Sequence, residues 1–197
     1  IRSGDGNDIV FGDEGNDRIW TGAGADRIEG GAGNDRIRAG SENDWIEAGD
    51  GDDRAYGGRG QDALTGGFGD DYLSGGKDGD VYRFNAGAGD PGWGQDVIED
   101  KGNASSYKNT DRIEISGFYG PSSGNSAEAY ARLNVSRDGD AMVLTGDAGE
   151  SSIRVERMFD ANENRYFIEN LELKAGYWSP IVFQIVNGDV DEIGDDR

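Results

Sequence analysis

Aspartate recurs every nine residues through the first 80 residues of the chain, each time after a glycine-rich stretch. The residues are Asp8, Asp17, Asp26, Asp35, Asp44, Asp53, Asp62, Asp71 and Asp80. A carboxylate is a hard oxygen ligand, and glycines let backbone carbonyl groups converge on one point without side-chain clashes. Calcium takes six to eight such oxygens at about 2.3–2.6 Å. The spacing therefore predicts a row of calcium sites.

The composition favours cations as partners and excludes several kinds of chemistry. The formal net charge is −21 and only 34% of the 197 residues are hydrophobic, so nucleic acid and anionic membranes are not expected partners. Without cysteine or histidine, the chain as given has no disulfide, thiolate metal site, histidine-ligated zinc or Ser-His-Asp chemistry. No pair of carboxylates stands out as general acid and base, so we predict that the chain is not an enzyme.

The repeat unit is predicted to be a turn followed by a very short strand. The clearest units are GGAGNDRIR from Gly30, GGRGQDALT from Gly57 and GGFGDDYLS from Gly66. The first six residues lack a strand pattern, whereas the last three alternate around one apolar residue. One buried apolar side chain contributes about 1.5–3 kcal/mol, which does not offset a backbone entropy cost of about 1–2 kcal/mol for each ordered residue. Bound metal must supply the remaining stability.

These units resemble the nonapeptide repeats of the RTX group of secreted toxins, proteases, lipases and adhesins. The resemblance implies an all-β fold in which residues 1–84 form a right-handed parallel β-roll with two units in each coil. The aspartates then stack in two columns, Asp8 to Asp80 and Asp17 to Asp71, in steps of 18 residues. A calcium ion between successive turns of each column gives about seven ions, bound by the aspartates and by turn carbonyl groups. The turn glycines assigned to these sites are Gly31, Gly33, Gly49, Gly51, Gly58, Gly60, Gly67 and Gly69.

Three units depart from the glycine pattern. Asp13 replaces the second glycine of its unit, and Glu42 and Asp78 replace the fourth. A side chain at a turn position that requires a positive φ costs roughly 1–2 kcal/mol. Alternatively, the additional carboxylates act as calcium ligands and compensate for that cost. The sequence leaves both interpretations open.

Residues 85–197 lose the nine-residue period and are predicted to form a β-rich unit that caps the roll. Alternating segments predict short antiparallel strands, two of them joined by an Asp138-Gly139 hairpin turn. Most of the aromatic residues of the chain lie here and are expected to form the core of this unit. A cap is needed because the last coil would otherwise expose its apolar layer and its unpaired backbone groups.

Two segments of this region also resemble a known flank. Together with residues 81–84, residues 94–100 and 110–113 are similar to the stretch that closes the repeat block in haemolysins and adenylate cyclase toxin. The resemblance implies that the flank is required for calcium-driven folding of the roll and that it lies just before a type I secretion signal.

Arginine and aromatic residues recur at the outward positions of the even-numbered units. They are Arg18, Trp20, Arg36, Arg38, Arg54 and Tyr56. On parallel strands about 4.8 Å apart they form a stripe, the arginine stripe, on one sheet face. The opposite face shows no comparable pattern. The stripe is either a surface for an anionic glycan, a lipopolysaccharide or a partner chain, or a stack of arginines paired with acidic residues. We favour the second interpretation.

Two further motifs are predicted to be ordinary turns. Residues 160–164 begin like an EF-hand loop, but Arg165 stands where the loop needs glycine and Leu171 where it needs glutamate. The Asp90-Pro91 bond is typical of a loop.

The sequence as a whole predicts the calcium-binding module of a secreted toxin or adhesin of a Gram-negative bacterium. We expect it to be the C-terminal portion of a larger protein, located outside the cell or on its surface. Low calcium would leave the chain disordered and suited to the type I secretion apparatus, and calcium outside the cell would fold it. One alternative is a module that binds a host-cell surface, receptor or glycan, as in adhesins. Another is an accessory module of an extracellular enzyme.

Overall fold

The computed structural model of the protein describes residues 1–85, 94–99, 111–116, 133–138, 141–146, 152–155, 170–174, 181–186 and 189–193. Within these ranges the fold is all-β, as predicted, and contains no helix. A helix able to span a membrane is accordingly not found among them. The strands are β1 (Arg2–Asp5), β2 (Ile9–Phe11), β3 (Arg18–Ala23), β4 (Arg27–Ala32), β5 (Arg36–Ser41), β6 (Trp45–Asp50), β7 (Arg54–Arg59), β8 (Ala63–Phe68), β9 (Tyr72–Lys77), β10 (Val81–Asn85), β11 (Gln95–Ile98), β12 (Arg112–Ser116), β13 (Leu133–Asp138), β14 (Ala141–Gly146), β15 (Ser152–Val155), β16 (Asn170–Lys174), β17 (Ile181–Val186) and β18 (Asp189–Ile193).

Successive strands of the repeats alternate between two sheets. Sheet A has the order β1-β3-β5-β7-β9-β11-β15-β14-β13, and sheet B has the order β18-β17-β16-β12-β10-β8-β6-β4-β2. Each repeat strand pairs in parallel with the strand two further along, so that Ile19 lies beside Ile37 and Ile37 beside Ala55. A coil therefore contains two nonapeptides, and the predicted parallel β-roll is confirmed.

The repeat strands are longer than the sequence pattern indicated. β5 covers six residues and includes the first three residues of the following unit. Its inward side chains are Ile37 and Ala39, both buried, and the same alternation recurs from β3 to β9. Each of these strands except β7, whose inward residues are Ala55 and Gly57, therefore contributes one large apolar residue and one small residue to the interior. The three-residue strands predicted from sequence were wrong, because glycine and alanine are uncommon in ordinary strands and were assigned to the turns.

The hydrophobic core is a continuous layer between the two sheets. In the repeats its members are Val10, Ile19, Ile28, Ile37, Ala39, Ile46, Ala48, Ala55, Leu64, Leu73, Tyr82 and Phe84. With small residues at the second inward position of most strands, this layer is as thin as the sequence predicted. The two rows of turns on either side of it must therefore contribute to stability.

The parallel sheets continue beyond the repeats. β11 pairs in parallel with β9 and β15, and β12 pairs in parallel with β10 and β16. Antiparallel pairing begins only further out, where β13 pairs with β14, β14 with β15, β16 with β17 and β17 with β18. The prediction of an antiparallel unit is right for these outer strands. It is wrong for the inner ones, which extend the parallel edges that β9 and β10 present.

Other predictions for the C-terminal region have mixed outcomes. The hairpin is confirmed, because Asp138 pairs with Ala141 across the two-residue connection 139–140. The division of the chain at residues 84 and 85 stays a prediction. The EF-hand-like segment 160–164, the Asp90-Pro91 bond and, apart from Phe183 in β17, the aromatic residues expected to form the core of the cap lie outside the described residues.

Candidate metal centre

The aspartates form two ladders along the sides of the roll, as the spacing predicted. Asp53 Oδ1 accepts a hydrogen bond of 2.7 Å from the backbone N–H of Asp35, in the preceding coil. Asp71 Oδ1 accepts the equivalent bond from Asp53 at 2.9 Å. The other column repeats the arrangement, for example between the N–H of Asp26 and Asp44 Oδ1 at 2.9 Å. One oxygen of each carboxylate therefore joins neighbouring turns.

The second carboxylate oxygen faces the interior of the turn column. The Oδ2 atoms that are buried without a hydrogen-bond partner include those of Asp8, Asp26, Asp35, Asp44, Asp53, Asp71 and Asp96. A buried polar atom without a partner is costly, and a buried carboxylate without a counter-charge is more so. A row of such atoms fits a row of cations.

The electrostatic environment supports the same conclusion. Burial raises the pKa of Asp53 and of Asp71 to about 7; a backbone hydrogen bond opposes the shift, and the neighbouring carboxylates add to it. Burial likewise raises the pKa of Asp44 to about 7. Without a counter-charge these side chains tend to take up protons near neutral pH. A divalent cation would keep them ionised instead.

The turn glycines create the space that the carboxylates and carbonyl groups occupy. A Cβ atom at Gly66 would fall onto Asp71 Oδ2 of the same unit. Gly67 and Gly69 have φ values of 120° and 119°, and a Cβ atom at either one would fall onto a carbonyl oxygen of the preceding coil, that of Gly49 or Gly51. Carbonyl oxygens and aspartate oxygens are thus held close together in each turn. This explains why the unit is rich in glycine.

The available donors suit calcium. Within the part of the chain that the structure describes, no group of three or more acidic side chains is arranged to hold a metal ion. A site must therefore combine aspartate Oδ2 atoms with backbone carbonyl oxygens, an all-oxygen set that calcium accepts with flexible geometry. The structure confirms the stacking of the predicted aspartates and glycines, and the role of each residue as a ligand stays a prediction.

A second side-chain ladder runs in the opposite direction. Where the residue before a ladder aspartate is Asn or Asp, its side chain can accept a hydrogen bond from the following coil: Asn16 Oδ1 accepts from the N–H of Asn34 at 2.8 Å, and Asn34 Oδ1 from the N–H of Asp52 at 3.2 Å. Asp52 Oδ1 in turn accepts from the N–H of Asp70 at 3.1 Å. We call this set the Asx ladder. Each turn is thereby joined to the turn before it and to the turn after it.

The three departures from the glycine pattern have positive φ values, as the equivalent turn glycines do, although smaller ones. Asp13, Glu42 and Asp78 have φ values of 69°, 79° and 78° and are the non-glycine residues with positive φ among those described. All three side chains are exposed. The positive φ expected at these positions is therefore confirmed, and exposure favours strain over ligation, the two interpretations that the sequence left open.

The ladders extend further than the nine predicted aspartates. The N–H of Asp71 donates to Asp96 Oδ1 at 2.9 Å, and the N–H of Asp80 donates to Asp111 Oδ1 at 2.7 Å. Both acceptors lie beyond the regular period, at separations of 25 and 31 residues from their donors. A search for Gly-X-Asp followed by an aliphatic pair, without the fixed spacing, would have found Asp96.

The arginine stripe is present on sheet A in the predicted register. Arg18, Arg36 and Arg54 are successive partners, and Arg38 pairs with Tyr56. The Arg38 guanidinium lies over the Tyr56 ring at 5.5 Å, and that of Arg36 lies 6.0 Å from the same ring. Among the described residues no ion pair involves these arginines. The favoured interpretation, arginines paired with acidic residues, is therefore wrong there.

Sheet B also carries arginine-aromatic contacts, which the sequence analysis missed. Arg27 and Arg83 lie 5.3 Å and 5.1 Å from the Trp45 ring. These two arginines also form ion pairs, Arg27 with Glu29 at 2.7 Å and Arg83 with Glu114 at 3.2 Å. Both sheet A and sheet B therefore carry arginines. The two faces differ mainly in that the arginines Arg27 and Arg83 of sheet B are paired with acidic residues.

The fold and its turns define a class of protein: parallel β-rolls in which glycine-rich turns stack aspartates into columns suited to calcium. The family model of the RTX calcium-binding nonapeptide repeat matches this chain in four copies, over residues 2–37, 29–64, 47–82 and 56–90. Residues 2–90 are thus RTX calcium-binding repeats, and the resemblance inferred from the sequence is confirmed for this region. The resemblance of the C-terminal flank to haemolysins and adenylate cyclase toxin stays a prediction.

Other comparisons add little. No curated protein sequence matches the chain. Among solved structures, the crystal structure of the extracellular lipase LipA from Serratia marcescens is similar, with 18% sequence identity and a TM-score of 0.29. The alignment covers 76% of this chain and 36% of the lipase chain. A likeness at this level carries no argument about the function of this chain.

Proposed function

We propose that this chain is a calcium-driven folding module of a secreted bacterial toxin or adhesin. The observation that supports the proposal is the row of buried Oδ2 atoms without hydrogen-bond partners, exemplified by Asp35, Asp53 and Asp71. At low calcium the ionised columns repel, the thin core is insufficient, and the glycines favour the unfolded chain. Calcium binds only the stacked form, so its binding free energy becomes folding free energy. The chain therefore has a binding and folding role rather than a catalytic one.

This coupling suits export through a narrow channel. In low calcium the chain is expanded and can pass through the type I secretion apparatus of a Gram-negative bacterium. On the extracellular side calcium folds it, which opposes backward movement and stabilises the parent protein. With extracellular-type sites of roughly 10⁻⁴–10⁻³ M, each ion contributes modestly, whereas several ions binding to one stack give a steep transition.

The decisive experiment is a calcium titration followed by far-UV circular dichroism, from excess chelator to ~10 mM calcium, a range that spans extracellular-type sites. We expect a steep, reversible gain of β signal with calcium. Magnesium is the control and should be ineffective, because it demands small octahedral sites and dehydrates reluctantly. A chain that is equally folded in chelator and in calcium would overturn the proposal.

A second candidate function is binding of an acidic glycan by sheet A. The supporting observation is that the arginines of the stripe have no acidic partner among the described residues. Guanidinium groups repeated at the strand spacing of about 4.8 Å would suit a linear polymer bearing regular carboxylates. This activity would place the chain among the adhesin modules, and it is compatible with calcium-driven folding.

Retention on an immobilised polyuronate, with neutral dextran as reference, tests the second candidate. The calcium-loaded protein should be retained, and the double variant Arg36→Glu/Arg54→Glu should elute with the void volume. The double variant Arg27→Glu/Arg83→Glu on sheet B is a matched control, because it changes the charge by the same amount on the face where the arginines are already paired. If the unaltered protein is not retained, or if the control variant is affected equally, the glycan proposal is wrong.

A further inference from the structure

The chain makes a further turn of the roll after its regular period has ended. The period stops near Asn85, yet Gly94-Gln95-Asp96 reproduces the order of Gly60-Gln61-Asp62 in a regular unit, and an apolar pair follows in both. The intervening residues lengthen the coil, since Asp96 follows Asp71 by 25 residues instead of 18.

The backbone of this turn forms the bonds of a regular unit. The N–H of Val97 donates to the carbonyl oxygen of Asp71 at 2.8 Å, and the N–H of Tyr72 donates to that of Asp53 at 2.9 Å. Asp96 Oδ1 accepts from the N–H of Asp71 at 2.9 Å, the distance found between Asp71 Oδ1 and Asp53. The turn therefore continues the aspartate ladder without a change in geometry.

The Asx ladder and the glycine contact continue as well. Asp70 Oδ1 accepts a hydrogen bond of 2.8 Å from the N–H of Gln95. Gly94 has a φ of 81°, and a Cβ atom there would fall onto the carbonyl oxygen of Gly69. The groove along this side of the roll, ≈ 600 Å³ in volume, likewise runs without interruption from Asn16 to Val97.

Asp96 lies in the environment of a ladder aspartate. Its side chain is 1% exposed, and its Oδ2 atom is buried without a hydrogen-bond partner. In the next coil Ile153 occupies the paired position, and it is fully buried. Asp96 is therefore the last aspartate of this column.

We infer that Asp71, Asp96 and carbonyl oxygens of the described residues in their two turns hold an additional calcium ion, beyond the reach of the regular repeats. The inference rests on the proposed calcium-binding function and extends it to the flank. This ion ties β11 to the end of the roll, so that docking of the flank depends on calcium. Asp111 extends the other column through the same backbone bond, and two additional intervals raise the implied total from about seven to about nine ions.

The number of calcium ions bound by the full chain tests the inference. Native mass spectrometry of the calcium-saturated protein should show more than seven ions, and Asp96→Asn should bind one fewer than the unaltered protein. The asparagine keeps an Oδ1 acceptor for the Asp71 N–H but removes the charge. Asp53→Asn is the positive control within the repeats. Glu47→Gln, an exposed residue on sheet B, is the control for loss of charge outside the ladders.

Hydrogen exchange locates the effect. In Asp96→Asn the amides of Val97 and Glu99, which bond to β9 and to the turn before it, should exchange several-fold faster, while those of β5 stay protected. If the unaltered protein binds no calcium, the proposed function itself fails. If it binds calcium and Asp96→Asn binds the same number of ions, only the present inference fails. If Asp96→Asn does not fold, the ion count of the unaltered protein is the test. A count of seven ions or fewer contradicts the additional site.

Discussion

The regular repeats and the flank build the same coil from different sequences. In the repeats every coil takes 18 residues, whereas the coil that ends at Asp96 takes 25 and the one that ends at Asp111 takes 31. All of them end in the same bond between an aspartate Oδ1 and a backbone N–H. The comparison shows that a rung of the ladder is defined by the aspartate bond and by the buried apolar residue two positions later, Ile98 or Ile113, since no glycine stands two residues before Asp111 as Gly94 does before Asp96. The nine-residue period is therefore not required to form a rung.

The two regions also differ in their interior. In the repeats most strands bury one large and one small residue, such as Ile37 and Ala39 in β5. In β12 both inward residues are large, Ile113 and Ile115, and both are fully buried. Each additional buried aliphatic side chain contributes about 1.5–3 kcal/mol. The repeats should therefore depend on calcium more strongly than the flank does.

Removal of calcium is the strongest test of this difference. With excess chelator at pH 7.5, the amides of β4 to β8 should lose their protection against hydrogen exchange completely, because the thin core cannot hold the columns of charge. The exchange of β4 to β8 and of β11 to β15, followed at peptide resolution, measures the outcome in both regions. Protection that persists in the repeats but not in the flank would reverse the comparison.

Low pH should partly replace calcium in stabilising the fold, because protonation removes the charge of the buried carboxylates. Burial raises the pKa of Asp44, Asp53 and Asp71 from 3.8 to about 7 in the metal-free fold, and that of Asp96 to about 8. A raised carboxyl pKa stabilises the metal-free fold fully below pH 3.8, and this contribution is lost as the pH rises through about 7 to 8. In chelator, β signal should therefore be greater at pH 4 than at pH 8.

Calcium should show the opposite trend, because it needs the ionised carboxylates and must displace their protons. The calcium concentration at the midpoint of folding should be lower at pH 8 than at pH 6, as measured by parallel circular dichroism titrations. A midpoint that does not change between these pH values would contradict the burial of the carboxylates in the repeats and at Asp96.

A core substitution in each region compares their packing directly. Ile37→Ala in the repeats and Ile113→Ala in the flank remove equally buried side chains, and each should cost about 2–5 kcal/mol in urea unfolding at saturating calcium. The calcium concentration at the midpoint of folding should rise more for Ile37→Ala than for Ile113→Ala, because the strands of the repeats bury fewer large apolar side chains. Equal midpoint shifts would show that the two regions fold as one unit.

The smallest expected effect concerns the glycine position of the turn. Glu42→Gly should increase the free energy of unfolding by about 1 kcal/mol at saturating calcium, because it relieves a positive φ. Gly60→Ala, the matched change in the next coil, should be destabilising, since its Cβ would fall onto the carbonyl oxygen of Glu42. Loss of stability in Glu42→Gly would instead favour its carboxylate as a calcium ligand.

Much of the roll could be predicted from the sequence, because each unit repeats the same local requirement. The recurrence of aspartate predicted the two columns, and the glycine pattern located Asp13, Glu42 and Asp78 as departures without deciding between strain and ligation. Asp96 was missed as a rung because an insertion interrupts the count, although the turn chemistry is intact. The parallel pairing of β15 with β11 and of β16 with β12 was missed because it depends on sheet edges formed by strands that are distant in sequence. The lack of acidic partners for the arginine stripe depends on side-chain distances between coils.

The Asx ladder gives the two sides of the roll different mechanical properties. On the side of Asn16 to Gln95, every junction between the described turns has its side-chain bond. On the other side Ala25 has no side-chain acceptor, so the junction between its coil and the coil of Asn43 lacks a bond of the Asx ladder and keeps the aspartate bond from the N–H of Asp26 to Asp44 Oδ1 besides its backbone bonds. A pulling force should therefore open the stack first on this side, where Ala25 and Gln61 make no such bond to the next coil, and each coil that unravels would release up to roughly 60 Å of chain.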